Sequence, residues 1–261
     1  MPKVSLHDGT AIEVAVHGSG PAVLLPMGPR PAARTRTDPA VGGPLVEGLR
    51  DAFRVVVFDY EGHLMRHPRP DTLTPGNITG DLLAIADAVR ADRFAYYGYS
   101  WLGMSGLQLA IRTRRLSALV MGGFPPIGGP YPQALRAYEA AASGEPDEGS
   151  GGPRARQFVT LYESLQGFDD RSIQAQVTCP RLCFVGATEE VPYGQRGDVS
   201  VDVGAVVRQR QSELAALGWD VRILDGLDSA EAAQDPHVLR VLRPWLSAAL
   251  AAHSSPPADE Q

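Results

Sequence analysis

The 261-residue chain has only two cysteines and no long hydrophobic run. Without eighteen consecutive apolar residues it lacks a membrane-spanning segment, and its first residues lack the apolar stretch of a signal peptide. We therefore expect a cytoplasmic protein with no membrane partner. Cys179 and Cys183 stand four positions apart in an apparent strand, about 13 Å at about 3.3 Å per residue, which is too far for a disulfide. We expect buried thiols and, without a CxxC or Cys/His pair, no metal site.

Basic clusters are missing as well. The 24 Lys and Arg residues are spread along the chain against 30 Asp and Glu, which gives a net charge of −6. A surface that follows phosphates needs clustered cations, so nucleic acid is not an expected partner. No G-x-G-x-x-G motif opens a helix and no Walker sequence occurs, so we expect no organic cofactor. The sequence does not indicate an oligomeric state.

Short β-rich runs alternate with helical patterns over most of the chain. Strands that are apolar on both faces and separated by helices predict a parallel sheet covered on each side. Near the amino terminus, apolar alternation around Asp8-Gly9 predicts an antiparallel hairpin with a type I′ turn, so the sheet should be mixed. The length favours a single α/β domain. The β-rich runs after the first hairpin are 21–26, 53–60, 93–100, 116–124, 180–187 and 220–226.

Residues 125–178 interrupt this alternation. They combine a Pro/Gly loop, a helical stretch, a polar segment at 143–153 and an apolar stripe at i, i+3, i+4 and i+7. We therefore divide the chain into a core domain (1–124 and 179–261) and a helical insertion (125–178), with a disordered tail at 254–261. The stripe either packs onto the core or forms the underside of a lid that contacts substrate. Its members are Phe158, Leu161, Tyr162 and Leu165.

The stretch AYYGYSWLGMSGLQLA (95–110) is a strand that stops at a glycine, exposes one serine and continues into a helix. Gly98-Tyr99-Ser100-Trp101 resembles the nucleophile elbow, G-x-S-x-G, of the α/β-hydrolase family. The resemblance extends over nearly the whole chain through VAVHGSGPAVLLP, FDYEGH, PRLCFVGATEE and LRPWL. It implies an α/β-hydrolase fold with a mixed, mostly parallel sheet flanked by helices and a small helical lid. Leu102 stands where the family has a second glycine, and Gly103 and Gly106 are expected to allow close helix-to-strand packing.

A serine nucleophile needs a base that an acid orients. The resemblance assigns the acid to Glu189, with Glu190 as the alternative, although Glu189 could also be a solvated loop carboxylate. The family's histidine base falls at Ser229. His237, eight residues further on in the first turn of the final helix, and His63 are the alternative bases.

The resemblance also indicates the oxyanion hole. One donor would be the backbone N–H of Trp101, and the other would belong to the residue after Met27-Gly28. That residue is Pro29, which has no N–H. The predicted substrate-binding and oxyanion positions are Trp101, Gly28, Met27, Tyr99, Phe158 and Tyr162.

Three functions remain open. The resemblance implies an ester or lactone hydrolase with Ser100 as nucleophile and a degenerate triad, acting on a small, mostly apolar organic molecule. A lyase-type or cyclase-type enzyme of specialised metabolism could use the same pocket, and a homologue could bind a ligand without turnover. Abundant Ala, Arg, Gly and Pro indicate a bacterial source. In the lyase or cyclase case the groups that polarise the substrate would be Ser100, Tyr99, Asp228, Ser229 and Glu189.

Overall fold

A computed structural model describes residues 2–27, 43–143, 152–188, 190–193 and 199–251, and at 190–193 and 199 it describes the backbone. The predictions for Gly28, Pro29, Glu189 and the tail at 254–261 fall outside the described residues, as does most of the polar segment at 143–153.

Eleven strands occur in the described ranges. They are β1 (Lys3–Ser5), β2 (Ala11–Glu13), β3 (Ala15–His17), β4 (Ala22–Leu25), β5 (Arg54–Val57), β6 (Phe94–Tyr99), β7 (Leu116–Gly122), β8 (Arg181–Thr188), β9 (Glu190–Tyr193), β10 (Val199–Asp202) and β11 (Trp219–Asp228). Seven of them form one sheet in the order β11-β8-β7-β6-β4-β5-β3. Within it only β3 and β5 pair antiparallel. The expected mixed, mostly parallel sheet is therefore confirmed.

Ten α-helices connect and flank these strands in the same part of the chain. They are α1 (Gly43–Glu47), α2 (Tyr60–Arg66), α3 (Pro75–Ala88), α4 (Trp101–Ala110), α5 (Tyr131–Ser143), α6 (Pro153–Glu163), α7 (Val203–Gln209), α8 (Gln211–Ala216), α9 (Ser229–Ala232) and α10 (Asp235–Ala251). A short 3-10 turn, Gln174–Gln176, precedes β8.

The sheet is buried on both faces because each face carries its own layer of helices. All six residues of β6 are buried. Apolar residues of α1 and α10 pack on one face, and those of α3, α4, α7 and α8 pack on the other. Central parallel strands covered in this way read as near-continuous apolar runs, which is why the sequence revealed them.

Three local features differ from the sequence-based expectation. The hairpin of β1 and β2 pairs apart from the main sheet, and Leu6 N donates to Thr10 O, so a three-residue loop replaces the two-residue turn. The helical spacing of apolar residues over 204–217 predicts one helix that ends at Gly218, whereas the structure has two helices, α7 and α8, that meet at Arg210. Cys179 precedes β8 rather than lying in it, because the preceding Pro-containing segment reaches the sheet only at Arg181.

A buried polar network joins the amino-terminal hairpin to α2 and α3. Asp81 of α3 is fully buried and accepts hydrogen bonds from Arg69 Nη1 (2.5 Å) and Tyr60 Oη (2.7 Å). It also receives the backbone N–H of His7 at 2.8 Å, and His7 Nδ1 lies 3.0 Å from it. Arg69 is itself buried and pairs with Asp8 through Nε at 2.6 Å. The network thereby fixes the position of α2, whose first turn reaches the serine turn.

Candidate active site

The backbone at Ser100 has the strained conformation that the sequence motif predicts. Its φ is 56° and its ψ is −131°, and Arg90 is the only other non-glycine residue with positive φ in the described ranges. Ser100 N donates to Gly122 O of the neighbouring strand at 2.8 Å, and Gly103 N donates to Ser100 O at 2.8 Å. Strain of this kind persists only where the surroundings over-determine it. Ser100 thus stands on a sharp bend between β6 and α4.

Small residues make the bend possible. A Cβ at Gly98 would lie 2.5 Å from the carbonyl carbon of Leu102 and would overlap its oxygen. A Cβ at Gly103 would lie 3.1 Å from Gly98 O, and one at Gly106 would lie 2.7 Å from the ring of Tyr96. The expected role of Gly103 and Gly106 in close packing is confirmed. Leu102, which stands where the family has its second glycine, is buried in the core.

Trp101 begins α4 directly after the serine and joins three elements. Its indole Nε1 donates to Glu61 Oε1 of α2 at 3.3 Å. Its ring centroid lies 6.3 Å from that of Tyr60 and 5.2 Å from that of Phe158 on α6. Glu61 was not singled out from the sequence, although its place in the FDYEGH loop was a usable signal. A carboxylate therefore lies beside the residue whose backbone N–H is the predicted oxyanion donor.

Aromatic packing joins α5 and α6 to this residue. Tyr138 of α5 stacks on Phe158 at 4.8 Å and on Tyr162 at 5.6 Å between ring centroids. Burial, with a smaller contribution from Glu61, raises the pKa of Tyr138 to about 12. Phe158 and Tyr162 are each only 2% exposed, as packing of the apolar stripe onto the core requires. Direct contact of Phe158 or Tyr162 with a substrate stays a prediction.

The turn after β11 lies beside the serine bend. Tyr99 Oη donates to Ser229 O at 3.0 Å, so the backbone at Ser229 contacts the residue that precedes Ser100. Asp228 caps α9 by accepting from Glu231 N at 2.8 Å, and the side chain of Glu231 accepts from Asp228 N at 3.0 Å. Asp228 also pairs with Thr188 at the end of β8. The turn that carries Ser229 and the end of β8 therefore lie together at the carboxyl ends of the parallel strands.

His63, one of the two alternative bases, has its contacts away from the serine bend. His63 is 2% exposed, and its Nε2 lies 2.9 Å from Thr10 Oγ1. Its pKa is lowered from the usual value, first by burial and then by the charge of Arg69. This placement argues against His63 as a base. His237 is half-buried in the first turn of α10, where Asp235 Oδ2 accepts from Leu45 N at 3.3 Å.

Met27, the other described residue predicted near the oxyanion hole, is partly buried and packs between the two core layers. Among the described residues no group of three or more His, Cys, Asp or Glu side chains could hold a metal ion. Within the same ranges no helix has the length and apolarity needed to cross a membrane.

Solved structures with the same architecture span almost the whole chain. A thermophilic esterase from Thermogutta terrifontis superposes with a TM-score of 0.63 at 16% identity, covering 95% of this chain and 98% of that one. The chain has an α/β-hydrolase fold. The enol-lactonase from Burkholderia xenovorans LB400 matches with a TM-score of 0.60 at 17% identity (94% and 100% covered). AqDC, described for recognition and ring-cleavage of the Pseudomonas quinolone signal, matches at 0.64 and 14% identity (95% and 100% covered).

Similarity in sequence is confined to a short segment. The protein named as carbamate hydrolase RutD of Agrobacterium fabrum is 33% identical over 76 residues, which is 28% of this chain and 28% of that relative. The match thus spans little more than a quarter of the relative's length. No known family model matches the chain.

Proposed function

We propose that this protein is an enzyme that acts on a small, mostly apolar organic molecule through Ser100, as an ester or lactone hydrolase with a degenerate triad. The observation that carries the proposal is the positive φ of Ser100 at the bend between β6 and α4. A non-glycine residue in that conformation costs on the order of 1 to 3 kcal/mol, and such strain concentrates at functional sites. The esterase and enol-lactonase among the structural neighbours support the same reaction class.

In this reaction Ser100 Oγ forms a bond to the carbonyl carbon of the ester or lactone while its proton passes to a base. The alkoxide leaves with that proton, and water then hydrolyses the acyl-enzyme. The N–H of Trp101 would donate to the developing oxyanion. We assign the acid to Glu189 and, because Ser229 stands at the position of the family's histidine, a displaced base to His237.

The nucleophile is tested by labelling the purified protein with a fluorophosphonate probe. We expect labelling that is lost in Ser100→Ala and kept in Ser105→Ala. Ser105 is a matched control because it lies in α4 one turn further on, buried, with its hydroxyl bonded to Trp101 O at 2.9 Å. Labelling that survives Ser100→Ala would contradict the assignment. Loss of labelling in His237→Ala, with folding unchanged, would support His237 as the base.

A second candidate function is a non-hydrolytic reaction, and the turn after β11 is the observation that favours it. The backbone carbonyl of Ser229 accepts from Tyr99 Oη at 3.0 Å, and the resemblance puts this residue with a neutral hydroxyl at the position of the family's base. Hydroxyls and carboxylates in a closed pocket can position and polarise a reactive substrate without a covalent step. The ring-cleaving neighbour AqDC shares the fold. Unchanged turnover of the true substrate by Ser100→Ala would favour this candidate over the hydrolase, and a ligand that is retained without turnover would contradict both.

The variant Ser229→His tests the assignment of the base position. A positioned general base contributes about 10²- to 10⁴-fold, so a histidine at the right place should raise the rate of serine labelling by at least the lower figure. Such a rise would support the view that the native protein lacks an ordinary base. An unchanged rate in a folded variant would contradict the assignment of Ser229 to that position.

A further inference from the structure

The sheet ends in a long strand with one unpaired side in the described part of the chain. β11 pairs with β8 in parallel, in regular register from Trp219 to Leu224, and it is the last strand in the order of the sheet. Edge strands in soluble proteins are commonly shortened or interrupted by proline. The opposite edge, β3, has three residues, whereas 219–224 contains no proline and becomes irregular only beyond Leu224. In the described residues the outer side of 219–224 therefore has no strand partner.

We propose that the edge of β11 joins two copies of this chain in a twofold symmetric dimer. The two copies of β11 run antiparallel with the axis at Val221, and Asp220 of each copy faces Arg222 of the other.

Symmetry restricts the possible registers. In a regular strand, alternate residues direct their N–H and C=O groups toward the free edge. Two identical strands can therefore pair only when facing residues differ by an even number, which puts the twofold axis through a residue rather than between two. The candidates along the regular stretch are thus registers centred on single positions.

Charge selects one of these registers. A centre at Asp220 or at Arg222 sets that residue against its own copy, and like charges facing each other are unfavourable. A centre at Ile223 sets Arg222 against Leu224 and Asp220 against Gly226. A centre at Val221 alone gives two opposite-charge pairs, Asp220 with Arg222 of the partner subunit and the reverse.

The two charged side chains are available for this pairing. Asp220 and Arg222 are both exposed and point to the same face of the sheet, since they are two residues apart in a strand. Trp245 Nε1 of α10 donates to Asp220 Oδ2 at 2.6 Å and so holds that carboxylate at the edge. In the part of the chain that the structure describes, no ion pair engages Arg222.

Apolar surface lies beside the edge on the same face. A groove of about 630 Å³ runs between β11 and α10, with Arg222 and Trp245 among its lining residues. Its exposed α10 residues include Pro244 and Ala248. A twofold axis perpendicular to the sheet keeps both grooves on one face, so they adjoin across the interface. Tryptophan and arginine are enriched in specific protein interfaces, and a strand pair alone would bury too little surface.

Sedimentation velocity on the full chain across a dilution series tests the dimer. We expect a dimer for the native protein. Arg222→Asp turns two attractive pairs into two repulsive ones and should raise the dimer dissociation constant by about 10- to 100-fold. Arg136→Asp is the matched control, because Arg136 is exposed on α5 and the change in net charge is the same; it should remain dimeric.

Complementation makes the test independent of folding defects. Asp220→Arg should also dissociate the dimer, since it sets two guanidinium groups against each other in each pair. A mixture of the Arg222→Asp and Asp220→Arg variants should form heterodimers, because opposite charges then face each other in both pairs and the repulsion within each homodimer is relieved. A native protein that is monomeric across the whole dilution series would overturn the proposal. It would do so even if the edge of β11 then proved to bind an extended peptide of another protein. A dimer that Arg222→Asp leaves intact, or a mixture that stays monomeric, would overturn it as well.

Discussion

Removing the carboxylate of Asp81 should destabilise the protein more than any exposed charge change. The side chain is fully buried and accepts from three donors, His7 N, Tyr60 Oη and Arg69 Nη1, with His7 Nδ1 a further 3.0 Å contact. In Asp81→Ala the guanidinium of Arg69, itself buried, keeps only Asp8 as an ionic partner. Breaking a buried ion pair typically costs about 3 to 5 kcal/mol, and here Arg69 loses one of its two ionic partners while the buried hydroxyl of Tyr60 loses its acceptor. We expect the free energy of unfolding to fall by that amount.

Urea unfolding followed by circular dichroism measures this effect. Asp87→Ala is the matched control: Asp87 lies in the same helix, and its side chain, which pairs with Arg115 at 2.6 Å, is exposed. An exposed pair contributes about 0 to 1 kcal/mol, so this control should change stability little. The double variant Arg69→Met/Asp81→Ala should cost less than the sum of its two single changes, since it removes both charges. A loss in Asp81→Ala no larger than that in Asp87→Ala would refute the reasoning.

Three further predictions concern pH and packing. The pKa of His63 is lowered from its usual 6.5 by burial and by Arg69, so the unfolded chain takes up this proton first as the pH falls. The contribution of His63 to stability should therefore be full above pH 6.5 and decrease below it. Urea midpoints measured at several pH values should show this dependence in the native protein and lose it in His63→Gln. Phe158→Ala should cost about 3 to 5 kcal/mol, because it removes a 2% exposed ring that packs on Trp101, and an unfolding midpoint within error of the native value would contradict that packing. Gly106→Ala should destabilise by about 1 to 3 kcal/mol despite the better helix propensity of alanine, because its methyl group would overlap the ring of Tyr96, and a more stable variant in thermal unfolding would show that the ring yields.

Local patterns were sufficient for most elements of the fold. The apolar runs of β4 to β8 predicted buried parallel strands, since a strand covered on both faces needs apolar residues at every position. Thr74 followed by Pro75 also predicts a helix start, and the structure confirms it: α3 begins at Pro75, and Thr74 caps it by accepting from Asn77 N at 3.2 Å. The division of 204–217 into α7 and α8 was missed because its apolar spacing continues through Arg210.

The candidate site was only partly predictable for the same reason. Gly98 and Ser100 are close in sequence, so the bend between strand and helix was legible from the motif. The contact of Glu61 with Trp101 joins residues forty positions apart, and that of Tyr99 with Ser229 joins residues 130 apart. Neither spacing has a periodic signal, because no helix or strand relates the two partners.

The sequence by itself determined the α/β alternation, the covered parallel sheet and the serine at a strand-to-helix bend. These depend on backbone conformation and on the burial pattern of consecutive residues, which short segments encode. Only the tertiary structure decided which partner each charged side chain meets. Arg69 meets Asp81 in the buried network, Glu61 meets Trp101 at the bend, and Asp220 meets Trp245 at the sheet edge. Those contacts follow from how whole elements pack, because a side chain reaches a partner distant in sequence only after the sheet has brought their elements together.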